Sequence, residues 1–290
     1  MRVAFLGTPE AAVPTLRGLV DAGHDVVVVI TRPDRRRGRG SDLVASPVKR
    51  AALELGLPVG YSLRDIDVHA VELGVVVAYG AIIPSALLAE LPMLNVHFSL
   101  LPRWRGAAPV HRAILAGDPE TGVAIISLEA TLDTGPVHLE RRVLVGEKTV
   151  DELTQELAEL GAKALLDVLA TPELLENPSV QVGEATYAEK LTKETFHLTP
   201  TSSAELVLRT VRLGGAFFFI DGNRLSVVAA HATDADVAPG IVARVGGEVL
   251  LGASDGAVAL VQVRPEGSKT MSAQAWWAGH HGKGDQLSWR

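Results

Sequence analysis

At 290 residues the chain exceeds one average domain and points to about two, long enough to bury a large core. An apolar fraction of 47% with 21% charged residues reads as globular, and a net charge of −7 excludes a surface coated in basic residues for indiscriminate nucleic-acid binding. The lack of cysteine excludes disulfides, thiolate catalysis and cysteine metal sites, and it fits a cytoplasmic protein.

In chain order, "MRVAFLG" opens with an apolar run too short for a signal peptide and reads as a buried strand ending at Gly7. Residues 10–22 carry helical spacing, with Pro14 near the first turn. "DVVVVIT" is a second, β-branched strand, and "SPVKRAALELG" a helix started by Ser46 and Pro47 and closed by Gly56. "LGVVVAYG" is a third strand, "PSALLAEL" a helix, "NVHFS" a fourth strand and "APVHRAILAG" a helix. Gly74, Gly80 and Pro84 break the uncharged stretch 73–89, so no membrane span is expected. "GVAIISLE" and "HLERRVLV" are further strands, and residues 149–170 are a long packing helix opened by a capping pattern of Thr149 and Glu152. Continuous apolar strands alternating with helices predict a doubly wound, mostly parallel α/β sheet.

The character changes at 176–203, which is polar and rich in turn residues. After the helix "SAELVLRTVRL" come short β-rich pieces with turn signals at Asp221-Gly222 and Asp255-Gly256, the pattern of a small β-barrel. The expected division is a catalytic domain over 1–185, a linker over 186–203 and a barrel over 204–290. His280 and His281 fall in a Gly-rich tail that reads as a mobile terminus rather than a metal site.

The first turn lacks Gly-x-Gly-x-x-Gly, so nicotinamide binding is not indicated, and no Walker or His-Glu-x-x-His motif occurs. Asn95 and His97 are different. Two positions apart on a strand, they share one face, at the strand end where open parallel sheets place ligands. Two polar groups satisfied within a core would give the same spacing. Asp133, in "LDTGPV", lies in a turn between two strands, which also fits an ordinary Asp turn.

Together, "FLGTPEAAVP", "TRPDRRRGRG", "VVVAYGAIIP", "NVHFSLLPRWRGAAPVHRAILAGDPETGVAII", "LDTGPV", "ATYAEKLTKE" and "PEGSKTMSAQAWW" resemble the methionyl-tRNA formyltransferase family over nearly the whole chain. The resemblance implies a Rossmann-like formyltransferase domain followed by an OB-like barrel. It implies transfer of a formyl group from 10-formyltetrahydrofolate to the α-amine of methionine on initiator tRNA, by a metal-free cytoplasmic enzyme, expected to be monomeric. The family's catalytic amide, imidazole and carboxylate fall on Asn95, His97 and Asp133. Its folate-contacting segment falls on Ser99, Leu100, Leu101 and Pro102. Its basic acceptor loop falls on Arg36, Arg37 and Arg39. The same three catalytic residues would also serve a sugar-nucleotide N-formyltransferase or a 10-formyltetrahydrofolate hydrolase.

The acceptor loop is locally basic: between Thr31 and Arg50 seven positive residues face two negative ones, a net +5. That concentration suits phosphate contacts, with Arg103, Arg105 and Arg112 as an extension of the patch. Two departures stand out. Ser41 and Asp42 follow "GRG" where the family usually has lysines, and residues 201–290 carry eight basic and eight acidic residues, no basic excess.

Overall fold

The apolar runs assemble into one seven-stranded sheet. In chain order its strands are β1 (Arg2–Gly7), β2 (Asp25–Ile30), β3 (Val59–Gly60), β4 (Leu73–Val77), β5 (Met93–His97), β6 (Glu120–Ser127) and β7 (Val137–Leu144). Across the sheet they run β7-β6-β5-β4-β1-β2-β3. Strands β1 to β5 pair in parallel, while β6 pairs antiparallel with both β5 and β7. The strand order reverses between β1 and β4, and sheets of this kind take ligands beyond the carboxyl ends of their strands. The computed structural model describes residues 1–36, 43–279 and 286–290. Arg37, Arg39, His280 and His281 lie outside the described residues.

The helices are α1 (Val13–Asp21), α2 (Pro47–Glu54), α3 (Ser85–Glu90), α4 (Pro109–Ala116) and α5 (Val150–Ala170). A 3-10 turn at Glu10–Ala12 precedes α1, and Pro14 sits in its first turn, where a missing N–H costs nothing. Ser46 caps α2 as its sequence suggests, its hydroxyl accepting from Lys49 N at 3.0 Å. Ala4, Leu6, Val28, Ile30, Val76 and Met93 pack on one face of the sheet with Leu87 and Leu88 of α3. On the other face, Val96 and Phe98 lie under Gly161 of α5. Alternation along β5 therefore puts Asn95 and His97 on the face of Met93, away from α5.

Two compact units are present. The first comprises Met1–Val110, Pro119–Leu144 and Glu152–Glu189; the second comprises His111–Asp118, Val145–Asp151 and Lys190–Arg290. The second unit holds β8 (Phe217–Ile220), β9 (Asn223–Ala232), β10 (Ile241–Val245), β11 (Glu248–Ala253), β12 (Gly256–Pro265) and β13 (Gln286–Ser288). They form an antiparallel sheet ordered β8-β9-β12-β11-β10-β13. Beyond β13 the chain returns to β8. Phe219 and Arg290 exchange both backbone hydrogen bonds, at 2.7 and 2.8 Å, and Ile220 bridges to Trp289, so the sheet closes into a barrel.

Asp221 and Gly222 both have positive φ, 51° and 77°, and join Ile220 to Asn223 as a two-residue hairpin loop. The other Asp-Gly pair differs by one position. Ala253 pairs with Gly256, so Ser254 and Asp255 form the turn. The Asp255 carboxylate instead accepts from Ala204 N at 2.7 Å, at the start of the helix Ala204–Arg212. Among the described residues, no helix is long and apolar enough to cross a membrane.

Candidate active site

Strand β5 delivers Asn95 and His97 to the carboxyl end of the sheet, and the β6–β7 connection brings Asp133 to them. All three are buried, at 9%, 6% and 7% exposure. His97 Nδ1 lies 3.7 Å from Asp133 Oδ2, within ionic reach though longer than a hydrogen bond. The other ring nitrogen, Nε2, sits 2.9 Å from the Trp104 carbonyl. A carbonyl only accepts, so Nε2 carries the proton and donates. Nδ1 is thereby the ring atom left to gain or lose a proton, and it is the one that faces the carboxylate. The same Asp133 Oδ2 accepts from Gly106 N at 2.8 Å.

The backbone around these groups is locally strained. Ala78, immediately after β4, has φ 46°; Trp104 has φ 62°; Asp133 has φ 52°. Three of the four non-glycine residues with positive φ among the described residues thus lie in connections beyond strand ends of this unit. Aspartate tolerates this conformation better than most residues, alanine and tryptophan less so. Strain of this kind is retained where the surroundings fix a functional geometry. Beside Ala78, burial pushes the Tyr79 phenol above its ordinary range, and the nearby Arg32 guanidinium acts in the opposite direction.

The Asp133 turn is shaped by its glycine. A Cβ on Gly135 would overlap the Ser127 carbonyl oxygen, so the turn approaches β6 closer than any side chain allows. Gly135→Ala is expected to displace the turn and cost about 1–3 kcal/mol of stability. Urea denaturation checks it, and an unchanged midpoint would contradict the close approach.

The segment Ser99–Pro102 is held in place by its own side chains. Ser99 is fully buried and its hydroxyl donates to the Arg103 carbonyl at 2.6 Å, so it shapes the loop from within. Leu101 packs against Ala124 and Ile126, and Leu100 covers Gly122. The leucine side chains thus fasten the loop to β6.

Arg36 is exposed on a two-residue strand, Arg35–Arg36, paired with Leu43–Val44. One cation of this segment is paired within it, which leaves the net charge of the segment unchanged. Lys49 Nζ donates to Asp34 Oδ2 at 2.7 Å, a hydrogen bond that, with a lesser one to Tyr61, holds the ammonium pKa above its usual value. Arg105 also departs from the expected patch. Its guanidinium turns to Gln181, with Nε at 3.1 Å and Nη2 at 2.6 Å from Oε1.

Several groups that contact the site come from the polar, turn-rich stretch 176–203, part of which reads as a linker. Trp104 N donates to Thr186 Oγ1 at 2.9 Å, and Arg105–Gly106 pairs in parallel with Tyr187–Ala188. Gln181 Nε2 donates to the carbonyls of Asp133 and Gly135, both at 2.8 Å. Val180 and Val182 on either side are 78% and 84% exposed. The only sequence signal was the alternation Val-Gln-Val, with apolar residues turned out and the amide turned in, the reverse of the usual pattern. Among the described residues, no group of three or more His, Asp or Glu side chains is arranged to hold a metal ion.

Comparison with known proteins places this site in context. The formyl transferase family matches residues 1–169, and the formyl transferase C-terminal domain matches residues 190–281. Residues 170–189, which carry Gln181 and Thr186, lie between the two matches. The chain is 44% identical over 292 residues to the methionyl-tRNA formyltransferase of Rhizorhabdus wittichii, covering 94% of this chain and 93% of that protein. It is 41% identical over 309 residues to the methionyl-tRNA formyltransferase of Heliobacterium modesticaldum, covering 96% of this chain and 97% of that one. An N-formyltransferase from Helicobacter canadensis, solved with folinic acid and dTDP-3-aminofucose, shares the fold at a TM-score of 0.66 but only 13% identity, covering 89% of this chain and 98% of that one. With high identity end to end on one side and shared fold alone on the other, the chain belongs to the methionyl-tRNA formyltransferase family.

Proposed function

We propose that the chain transfers the formyl group of 10-formyltetrahydrofolate to the α-amine of methionine carried on initiator tRNA. The observation that carries this is the meeting of Asn95, His97 and Asp133 at the carboxyl ends of the strands, in a chain this similar to methionyl-tRNA formyltransferases.

An α-amine has a reference pKa of roughly 7.7–8.0, so a useful fraction is neutral near pH 7 and no metal is required to make the nucleophile. As its nitrogen attacks the formyl carbon, the carbonyl oxygen becomes an oxyanion. The Asn95 amide donates to that oxygen. The new C–N bond makes the amine acidic. Its proton passes to the pair formed by the His97 imidazole and the Asp133 carboxylate, which returns a proton to the folate nitrogen as the C–N10 bond breaks. The Trp104 carbonyl keeps Nε2 protonated, so the ring offers Nδ1 to this exchange throughout. The Ser99–Pro102 loop, fastened by its leucines, presents backbone groups to the edges of the pterin.

Exposed Arg36 and its neighbours face the acceptor phosphates in this reading. Arg36→Ala is expected to weaken initiator-tRNA binding and to reduce the log–log salt slope by about one. Filter binding across a salt series checks it, and an unchanged slope would remove Arg36 from the acceptor site. The reaction itself is tested by mixing the protein with 10-formyltetrahydrofolate and methionyl initiator tRNA and assaying the aminoacyl group. N-formylmethionine supports the proposal. Formylation of a dTDP-amino sugar with none on the tRNA, or formate release without an acceptor, would overturn it.

A further inference from the structure

Gln181 makes every hydrogen bond its side chain can make. An amide has two N–H donors and an oxygen with two acceptor sites. Both donors are taken, by the carbonyls of Asp133 and Gly135, and both acceptor sites by the Arg105 guanidinium. The orientation of the amide is fixed by chemistry, since the carbonyls only accept and the guanidinium only donates. On the far side, Gly106, next in sequence to Arg105, donates its N–H to the Asp133 carboxylate at 2.8 Å. The contacts close a ring: Gln181 to the Asp133 carbonyl, the Asp133 carboxylate to Gly106, and Arg105 back to Gln181. Ser179 anchors the same segment by exchanging backbone hydrogen bonds with Val137 at 2.7 and 2.8 Å, and Thr186 anchors it through Trp104 and Pro102.

We infer that Gln181 is a positioning residue for formyl transfer, setting the Asp133 carboxylate against His97 Nδ1 by clamping the Asp133–Gly135 turn to the Arg105–Gly106 strand. The inference rests on the reading that Asp133 takes part in the proton exchange. Asp133 is held in a left-handed conformation with one carboxylate oxygen already committed to Gly106, so a shift of the turn moves the carboxylate directly. Displacements of about 1 Å in a catalytic group lower rates by up to about a hundredfold.

The test compares Gln181→Glu, Gln181→Leu and Asp133→Asn in the full chain, with steady-state kinetics from pH 6 to 9 and urea denaturation. Gln181→Glu still accepts from Arg105 but loses both donations to the turn, and it places a carboxylate against two carbonyls. The expected result is a fall in kcat of about tenfold to hundredfold with KM for tRNA and folate within about threefold of the parent. The acid limb of the kcat profile moves as well. Gln181→Leu behaves alike where it folds; should it unfold, Gln181→Glu decides. Parental kcat and pH profile in Gln181→Glu, with Asp133→Asn inactive, would overturn the positioning role alone. So would a loss confined to KM or to the urea midpoint. An Asp133→Asn protein with full turnover would instead overturn the reading on which the role depends.

Discussion

Asn95→Ala is expected to lower kcat/KM by about 10²–10³, the usual effect of removing one preorganised donor to a developing oxyanion. The side chain projects from β5 between Val76 and Ile126, its partners in the sheet, so truncation leaves the backbone pairing intact. The loss should appear in single-turnover rate rather than in substrate affinity, because the donor strengthens its bond only as charge develops on the oxygen. Asn95→Asp sharpens the test. It keeps the shape but replaces the NH₂ donor with an acceptor, and it should be at least as impaired. Retention of more than about a tenth of the parental rate by both variants would remove Asn95 from the oxyanion role.

The largest effect on stability is expected from Phe218→Ala in the barrel, about 3–5 kcal/mol, as for other buried phenylalanines cut to alanine. Phe218 is fully buried in the core of the second unit, and its ring meets Trp289 edge to face with centroids 5.2 Å apart. The substitution leaves a cavity and also weakens the seam, since Trp289, just beyond β13, bridges to Ile220 where the barrel closes against β8. Three of the four tryptophans, Trp276, Trp277 and Trp289, belong to this unit. Tryptophan emission during urea unfolding therefore follows the barrel, and its midpoint should fall well below that of the parent. A shift worth less than about 1 kcal/mol would mean that the ring is not part of a tightly packed core.

The elements that sequence describes well here are those with one dominant signal. β1, β2 and β4 are apolar runs of five or six residues, and α2 is announced by Ser46 and Pro47. Asn95 and His97 are legible because alternation along a strand fixes their common face. Asp133 needed the family resemblance, since an Asp-Thr-Gly turn carries no information about which strand it folds toward. The reversed direction of β6 was hidden for a related reason: a buried apolar strand reads alike in either direction. The Asp255 turn shifted because its carboxylate caps a helix 51 positions earlier in the chain. Gln181 carried only the misleading Val-Gln-Val alternation, since all four of its bonds go to residues 46 to 76 positions away and its neighbours are exposed valines.

Stretches of polar, turn-rich chain between recognisable domains are favoured places to splice in tags, cleavage sites or longer spacers. Ser179–Ala188 would be a poor choice. Because this stretch is knitted to Val137, Asp133, Trp104 and Gly106, an insertion there disturbs the Asp133–His97 pair, whereas one after Glu189 leaves those bonds untouched. A fragment of the first unit that stops at residue 169 would likewise lack the clasp on Asp133, and one carried through Glu189 would keep it.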